Sequence, residues 1–199
     1  MDKVIDYYFT PASPYAYLGH DRFVAIAAHH GARVGVYPVD IGRIFAVSGG
    51  VPLAQRPPQR LAYRLVELER WSRHLGIPIN VPPKFAATPV AAASRWILAA
   101  AETGQRQGLD LAGALMRARW AEERDIADPA TLAAVAAGLG QDASALAARA
   151  EDPELAARYE AATERAIAAQ VFGSPWYVYA GEPFWGQDRL DFLDRALAK

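Results

Sequence analysis

Hydrophobic and polar positions near the start of the chain change from a strand-like to a helix-like period. Val4–Phe9 (VIDYYF) is a short run of β-branched and aromatic residues that ends in a Thr-Pro turn, as a buried strand does. From Pro14 to about His30 the apolar residues keep a helical spacing, and Gly31 follows as a stop signal. Residues 34–39 (VGVYPV) have the pattern of a second strand. This order predicts a βαβ unit with a right-handed crossover.

The middle of the chain has the pattern of consecutive helices. Residues 48–58 contain three prolines and two glycines, which predicts a loop. Beyond it, alanine-rich segments with helical spacing predict helices over about 58–75, 89–103, 107–121, 129–138, 142–150 and 153–169. Asp128-Pro129 and Asp152-Pro153 have the residue types of an N-cap followed by proline at the first helical position.

Strand character returns only near the end of the chain. Residues 176–179 (WYVY) and 183–185, joined by an Ala-Gly-Glu turn, predict a hairpin, and a final helix is expected over about 188–198. Together the outer pieces (βαβ…ββα) predict an α/β fold with a thioredoxin-like core built from residues 1–45 and 170–199. Residues 46–169 would then form a large all-helical insertion domain.

The composition narrows the classes of protein and partner. The 199 residues hold 21 lysines and arginines against 22 acidic residues, a net charge of −1, so neither nucleic acid nor an anionic membrane is an expected partner. No apolar run approaches the ~20 residues that span a bilayer. The first residues enter a strand pattern without a signal-peptide core. We therefore expect a cytoplasmic protein.

The chain contains no cysteine. This excludes disulfide bonds, thiolate metal sites and thiol chemistry carried by the protein itself, and with them the function of a disulfide oxidoreductase. The four histidines have no metal-ligand spacing, so we expect no metal site.

Two short segments are candidates for chemistry. Ser13-Pro14 stands where the first strand meets the first helix, and in a thioredoxin-like fold the free N–H groups of this helix end favour an anion. Redox members carry Cys-x-x-Cys there, whereas this chain has Ser-Pro-Tyr-Ala. Ser13 is therefore either a plain N-cap or a catalytic group as well. The second segment, Gly173-Ser174-Pro175, precedes the third strand, and its position predicts a cis-proline facing the helix start.

Six segments together resemble one enzyme family. They are SPYAYL (13–18), GRIF (42–45), ELERWSRHLGIPIN (67–80), MRARWAEERDIADP (116–129), VFGSP (171–175) and FWGQDRLDFL (184–193). They are similar, in this order, to the 2-hydroxychromene-2-carboxylate isomerases, which are related to kappa-class glutathione transferases and DsbA-type oxidoreductases. The resemblance implies a glutathione-dependent cis–trans isomerase that interconverts 2-hydroxychromene-2-carboxylate and trans-o-hydroxybenzylidenepyruvate, or a similar intermediate of aromatic degradation. Its partners would be glutathione, a small aromatic carboxylate and a second copy of the chain in a homodimer.

The resemblance also implies that Ser13 is the catalytic residue, with its hydroxyl against the glutathione sulfur. An ordinary thiol has a pKa of about 8.5. A hydroxyl that donates to the thiolate contributes roughly 1.5–3 kcal/mol and a helix N-terminus roughly 0.3–1 kcal/mol, which together lower the thiol pKa by about 1.5–3 units. The thiolate would add to the enone carbon of the substrate, which turns the carbon–carbon double bond into a single bond that can rotate. Expulsion of the thiolate would then restore the double bond.

Further residues of the resemblance concern the rest of glutathione. Backbone groups of Gly173, Ser174 and Pro175 would pair with the cysteinyl unit. Gln187 and Asp188 would hold the γ-glutamyl end, although Asp188 has the alternative of capping the last helix. Arg60 would meet the glycyl carboxylate. The alternative for this arginine is a solvated helix face, formed by the arginines at 56, 60, 64, 70 and 73.

Two departures from the family pattern bear on the substrate. Relatives carry a lysine and an asparagine where this chain has Ala46 and Gly50. If those side chains orient the substrate, this chain binds a different one or turns over slowly.

Four aromatic residues either line the cleft or belong to the core: Tyr15, Phe45, Trp176 and Trp185. Two rival functions stay open, a kappa-like glutathione S-transferase and a thioredoxin-fold binding module that has lost its cysteines.

Overall fold

The computed structural model describes residues 2–199 and contains one mixed sheet. Its strands are β1 (Val4–Phe9), β2 (Arg33–Pro38), β3 (Trp176–Tyr179) and β4 (Glu182–Trp185). They lie in the order β2-β1-β3-β4. Strand β1 runs parallel to β2 and antiparallel to β3, and β3 runs antiparallel to β4. The predicted βαβ…ββα arrangement is confirmed, and β1 lies inside the sheet rather than at its edge.

Helices connect and cover the strands. They are α1 (Pro14–His29), α2 (Ile41–Ser48), α3 (Pro58–Leu75), α4 (Ala91–Thr103), α5 (Gln105–Trp120), α6 (Pro129–Gly138), α7 (Ala143–Ala150), α8 (Pro153–Ala168) and α9 (Leu190–Leu197), with short 3₁₀ helices at Leu53–Gln55 and Gln187–Arg189. The predicted helices of the middle region are therefore present, with ends that differ by two residues at most.

Helix α2 is the element that we do not predict from the sequence. Ile41, Ile44 and Phe45 have helical spacing, but the segment has only eight residues, and Ile44 is its one fully buried side chain. The helix begins at Asp40, whose carboxylate accepts hydrogen bonds from the backbone N–H groups of Gly42 at 2.8 Å and Arg43 at 3.3 Å. It ends at Gly49, which has φ = +76°, a conformation that glycine adopts easily.

The two faces of the sheet carry two buried clusters. Alternation along β1 directs Tyr7 and Phe9 to the side of α1, where their rings stack at 4.4 Å and Tyr7 also stacks on Tyr177 at 5.2 Å. Tyr8 points to the other side and packs with Trp176 and with residues of α2 and α8. Both faces of the sheet are thus covered by helices.

The helical middle region packs directly on this core. Residues of α4 and α5, among them Ile97, Leu111 and Leu115, are fully buried in the same cluster as β1 and α1. The division into a discontinuous core and an insertion domain stays a prediction. None of the helices among residues 2–199 has the length and hydropathy needed to cross a bilayer.

Candidate functional site

The start of α1 is built around Ser13. This residue has φ = −86° and ψ = 118°, and its Oγ accepts a hydrogen bond from the Ala16 N–H at 3.1 Å, while Pro14 occupies the first turn. The predicted N-cap is confirmed. Ser13 is buried, with 7% of the residue exposed.

The loop before β3 lies directly against this helix start. The Ser174–Pro175 peptide bond is cis, as predicted. The Ser13 hydroxyl donates a hydrogen bond to the Ser174 carbonyl oxygen at 2.9 Å, and the Ser174 Oγ accepts one from the Thr10 N–H at 3.0 Å. The structure therefore brings Ser13, Ser174 and Pro175 together in one place, from segments at opposite ends of the chain.

Gly173 lies beneath the indole of Trp185. A Cβ added at this glycine would lie 2.8 Å from Cε2 of Trp185, so a side chain here would displace the ring. Phe172 contacts Trp185 edge-on, with ring centroids 4.7 Å apart. Trp185 is 51% exposed, whereas Trp176 is buried in the core below. The glycine thus allows an exposed aromatic side chain to cover the cis-proline loop.

Gln187 and Asp188 have different surroundings. The Gln187 side chain is buried, and its Oε1 and backbone carbonyl both accept hydrogen bonds from the guanidinium of Arg22. A Cβ on Gly19 would lie 2.6 Å from Cβ of Gln187, which shows how closely α1 approaches. Asp188 is exposed and pairs with Arg189 at 3.1 Å. The residue before α9 is Arg189, without a side-chain cap, so Asp188 does not cap that helix.

The arginines of the α3 region are not one solvated face. Arg60 is exposed in the first turn of α3, but Arg64 is half-buried on the side that packs against α1. Burial lowers the pKa of Arg64, and the neighbouring charge of Arg56 lowers it further. The prediction of a solvated face was wrong for Arg64. Its spacing from Leu68 and Trp71 is the signal that identifies the inner face.

Tyr15 connects this arginine to the start of α1. The tyrosine lies two residues after Ser13 and is half-buried. Burial raises the pKa of its hydroxyl, while the positive charges of Arg64 and Arg56 oppose the rise. Asp188 is the carboxylate that acts on the same group. Phe45 lies farther along, over Gly50, and no cluster of metal-ligating side chains occurs among residues 2–199.

Comparison with known proteins places this geometry in a family. The DSBA-like thioredoxin domain matches residues 4–198. A 2-hydroxychromene-2-carboxylate isomerase of Sphingobium xenophagum is 31% identical over 99% of both chains. The chain belongs to the 2-hydroxychromene-2-carboxylate isomerase family, within the DsbA-like thioredoxin proteins. A solved isomerase of this name superposes with a TM-score of 0.78 and 28% identity over 98% of this chain and 94% of the other.

A more distant relative has a different name. Glutathione S-transferase kappa 1 of Caenorhabditis elegans is 22% identical over 95% of this chain and 88% of its own. The structure gives a local reason why this chain has glycine at position 50. A Cβ there would lie 2.6 Å from Cγ of Phe45, so the Phe45 ring occupies the space that a larger side chain at position 50 needs.

Proposed function

We propose that this chain is a glutathione-dependent isomerase that interconverts 2-hydroxychromene-2-carboxylate and trans-o-hydroxybenzylidenepyruvate, or a similar aromatic acid. The observation that supports it most directly is the 2.9 Å hydrogen bond from Ser13 to the Ser174 carbonyl oxygen. It joins a helix N-terminus to a cis-proline loop in a chain without cysteine. The names of the relatives, isomerase and glutathione transferase, supply the reaction and the thiol.

The residues around Ser13 fit a peptide that carries a thiol. The Ser174 carbonyl is a backbone acceptor next to the helix start, and Pro175 fixes the direction of the loop through its own carbonyl, which accepts from the Gly186 N–H at 3.0 Å. When bound, glutathione would supply the thiolate nucleophile that the chain itself lacks. The backbone of Gly173, Ser174 and Pro175 would orient its cysteinyl unit.

Ser13 would hold the negative charge on the sulfur. In the structure the Ser13 hydroxyl donates to the Ser174 carbonyl, and its oxygen accepts from the Ala16 N–H. A ligand N–H that pairs with the Ser174 carbonyl competes for this acceptor, and the hydroxyl hydrogen can then turn toward the thiolate. A hydrogen bond to a charged group contributes roughly 1.5–3 kcal/mol and the helix N-terminus roughly 0.3–1 kcal/mol, which together lower the thiol pKa by about 1.5–3 units. A substantial share of the bound thiol would then be ionised at neutral pH.

The γ-glutamyl end carries an ammonium group and a carboxylate. Of the two residues proposed to hold it, Asp188 has an exposed carboxylate, whose charge acts on the Tyr15 hydroxyl and which can accept from the ammonium. The side-chain oxygen of Gln187 is engaged by Arg22, so this residue would contribute mainly by fixing the turn that carries Asp188. Arg60 is exposed and remains available to the glycyl end.

A kappa-like glutathione S-transferase is the second candidate, favoured by the kappa-class relative. Both functions use the thiolate, but the transferase forms a stable conjugate. Incubation with glutathione and a chlorodinitrobenzene-type electrophile separates them, because conjugate accumulation supports the transferase. The third candidate is a thioredoxin-fold binding module without cysteine. Failure of glutathione to raise the melting temperature would support it, because a ligand that binds the native state must stabilise it.

The deciding experiment measures isomerisation with and without glutathione for the native chain and for Ser13→Ala. We expect glutathione to bind the variant within about tenfold of the native chain, roughly 1.4 kcal/mol, and turnover to fall by much more. Asp142→Ala is the matched control, since Asp142 caps α7 through two N–H groups far from this loop. Full activity of Ser13→Ala, or native activity without glutathione, contradicts the proposal.

A further inference from the structure

Arg64 occupies a position that the packing of α3 assigns to an apolar side chain. Leu68, one turn later, is fully buried, and Trp71 and Leu75 continue the same stripe toward the core. Arg64 begins this stripe and is half-buried on the side of α3 that packs against α1. A charge at such a place is unfavourable unless an opposite charge compensates it.

No carboxylate of the described chain compensates Arg64. The groups that act on its pKa are burial, the Tyr15 hydroxyl and the Arg56 guanidinium. Several arginines of the chain have acidic partners: Arg43 contacts Glu160 and Glu164, and Arg149 pairs with Glu102 at 2.8 Å. Arg119 is more deeply buried and also lacks a carboxylate partner, but its guanidinium donates to the Ala86 carbonyl at 2.7 Å. The half-buried guanidinium of Arg64 has neither an ion pair nor a hydrogen-bond acceptor among residues 2–199.

Arg56 adds a second positive charge to the same place, and the backbone holds it there. Its Nε donates to the Val51 carbonyl at 2.8 Å, and its guanidinium lies over the Phe45 ring, 5.9 Å from the centroid. Phe45 in turn packs over Gly50. The packing that excludes a side chain at position 50 is thus the packing that supports Arg56.

Both positive charges act on the Tyr15 hydroxyl at the first turn of α1. Tyr15 belongs to that turn, whose backbone N–H groups add a partial positive charge of their own. The nearby acidic group is Asp188, which already pairs with Arg189. An anion would offset the excess positive charge, and a planar carboxylate matches the two-donor geometry of an arginine.

We propose that Arg64, with Arg56 and the Tyr15 hydroxyl, binds a carboxylate group of a ligand at the mouth of the Ser13 site. The identity of that ligand rests on the proposed function. Two sources have this chemistry, the glycyl end of glutathione and the carboxylate of the aromatic substrate. Arg60, although it lies on the same helix, is exposed and has a smaller share in this subsite.

Arg64→Met tests the subsite, because methionine keeps the apolar stem and removes the charge. Calorimetric titrations would use glutathione, γ-glutamylcysteine, which lacks glycine, and the aromatic acid; steady-state assays would give KM for the acid at saturating glutathione. We expect Arg64→Met to lose about ten- to hundredfold in affinity for the ligand whose carboxylate binds there. Arg64→Lys keeps the charge but not the paired donors, so its affinity for that ligand should lie between those of the native chain and Arg64→Met.

The pattern of losses identifies the source. If the glycyl carboxylate binds, Arg64→Met weakens glutathione and leaves γ-glutamylcysteine unchanged. If the substrate carboxylate binds, the affinity for glutathione is unchanged and KM for the acid rises. Arg73→Met, an exposed arginine on the same helix, should stay within twofold of the native chain.

The melting temperature of Arg64→Met, measured without added ligand, is a test that does not depend on enzyme activity. Removal of an uncompensated half-buried charge should leave the melting temperature of Arg64→Met unchanged or raise it. If the native chain binds glutathione and isomerises the acid while Arg64→Met matches it in every titration, the subsite is wrong and the proposed function stands. If the native chain binds none of the three ligands, both proposals fail.

Discussion

The Ser13 hydroxyl and the Ser174 carbonyl oxygen lie 2.9 Å apart, across residues separated by 161 positions in the chain. A second hydrogen bond in the same direction, from the Thr10 N–H to the Ser174 Oγ at 3.0 Å, links the same two segments. The Ser13 Oγ also accepts from the first turn of α1. The position of the Ser13 Oγ is therefore fixed by two backbone groups, the Ser174 carbonyl and the Ala16 N–H, as a preorganised electrostatic site requires.

Ser13→Cys measures the electrostatics of this position directly. Since the native chain has no cysteine, the variant contains a single thiol. The sulfur takes the place of an oxygen that receives the Ala16 N–H at a helix N-terminus, so the thiolate is stabilised. We expect the thiol pKa to lie about one to three units below the ordinary value of about 8.5. The rate of alkylation as a function of pH gives this pKa.

Ser48→Cys is the matched comparison for this measurement. Ser48 is exposed in the last turn of α2, where the helix end is partially negative. Its thiol should titrate at or above the ordinary value. Equal pKa values for the two thiols would show that the start of α1 has no special effect on a sulfur.

Trp120 fixes the segment that leads into Ser13. Its indole N–H donates to the Pro11 carbonyl at 3.3 Å, and its own carbonyl accepts from the Asn80 N–H at 2.7 Å. Trp120→Phe removes the first bond and keeps an aromatic ring. We expect the free energy of unfolding to fall by about 0.5–1.5 kcal/mol and turnover to fall several-fold, because the Pro11 carbonyl loses its anchor.

Urea unfolding and steady-state kinetics check this prediction, with Trp96→Phe as the comparison. Trp96 is a buried tryptophan of α4, so its replacement removes a similar amount of packing away from the loop. Both variants should lose stability, but only Trp120→Phe should lose turnover in the folded state. The same kinetic loss in both would mean that the contact with Pro11 has no positioning role.

The sequence alone predicts those elements whose ends are set by residues only a few positions apart. The bounds of β1, the start of α1 and the caps at Asp128 and Asp152 follow from residue types within a few positions, and all four are observed. Helix α2 was missed because it has only eight residues, and the apolar spacing of Ile41, Ile44 and Phe45 covers little more than one turn. So short a period does not separate a helix from a loop.

The candidate site divides in the same way. The cap at Ser13 and the cis-proline could be predicted from their positions relative to the strands. The contact of Gln187 with Arg22 could not, because it depends on how closely Gly19 allows α1 to approach the turn. The inward direction of Arg64 has a signal in its spacing from Leu68 and Trp71, but the sequence does not show that the helix packed on this face is α1.

Gly50→Ala tests whether the Phe45 ring excludes a side chain at position 50. The added Cβ would lie 2.6 Å from Cγ of Phe45, so the ring must move. We expect a loss of about 1–2 kcal/mol in the free energy of unfolding, and weaker packing under Arg56. In the double variant Phe45→Leu/Gly50→Ala the two effects should not add, because the smaller side chain leaves room. Simple additivity would show that the two residues do not compete for space.

His20 gives the chain a predicted dependence of stability on acid. Its Nε2 lies 2.9 Å from the Leu109 carbonyl, which can only accept, so this nitrogen carries the hydrogen and Nδ1 faces the Tyr7 hydroxyl at 3.4 Å. Burial lowers the pKa of His20 below its ordinary value of 6.5, although the bond to Leu109 and the charges of Asp21 and Asp110 oppose this. The folded chain therefore holds this histidine neutral.

The sign of the effect follows from this lowered pKa. Above pH 6.5 the histidine is neutral in both states, and its contribution to stability is complete. As the pH falls below that value the unfolded chain takes up the proton first, so the free energy of unfolding decreases until the folded-state pKa is reached. Urea titrations between about pH 8 and pH 5 should show a smaller decrease for His20→Gln than for the native chain. His74→Gln removes an exposed histidine and should keep the native decrease, so equal slopes in all three proteins would rule out His20 as the cause.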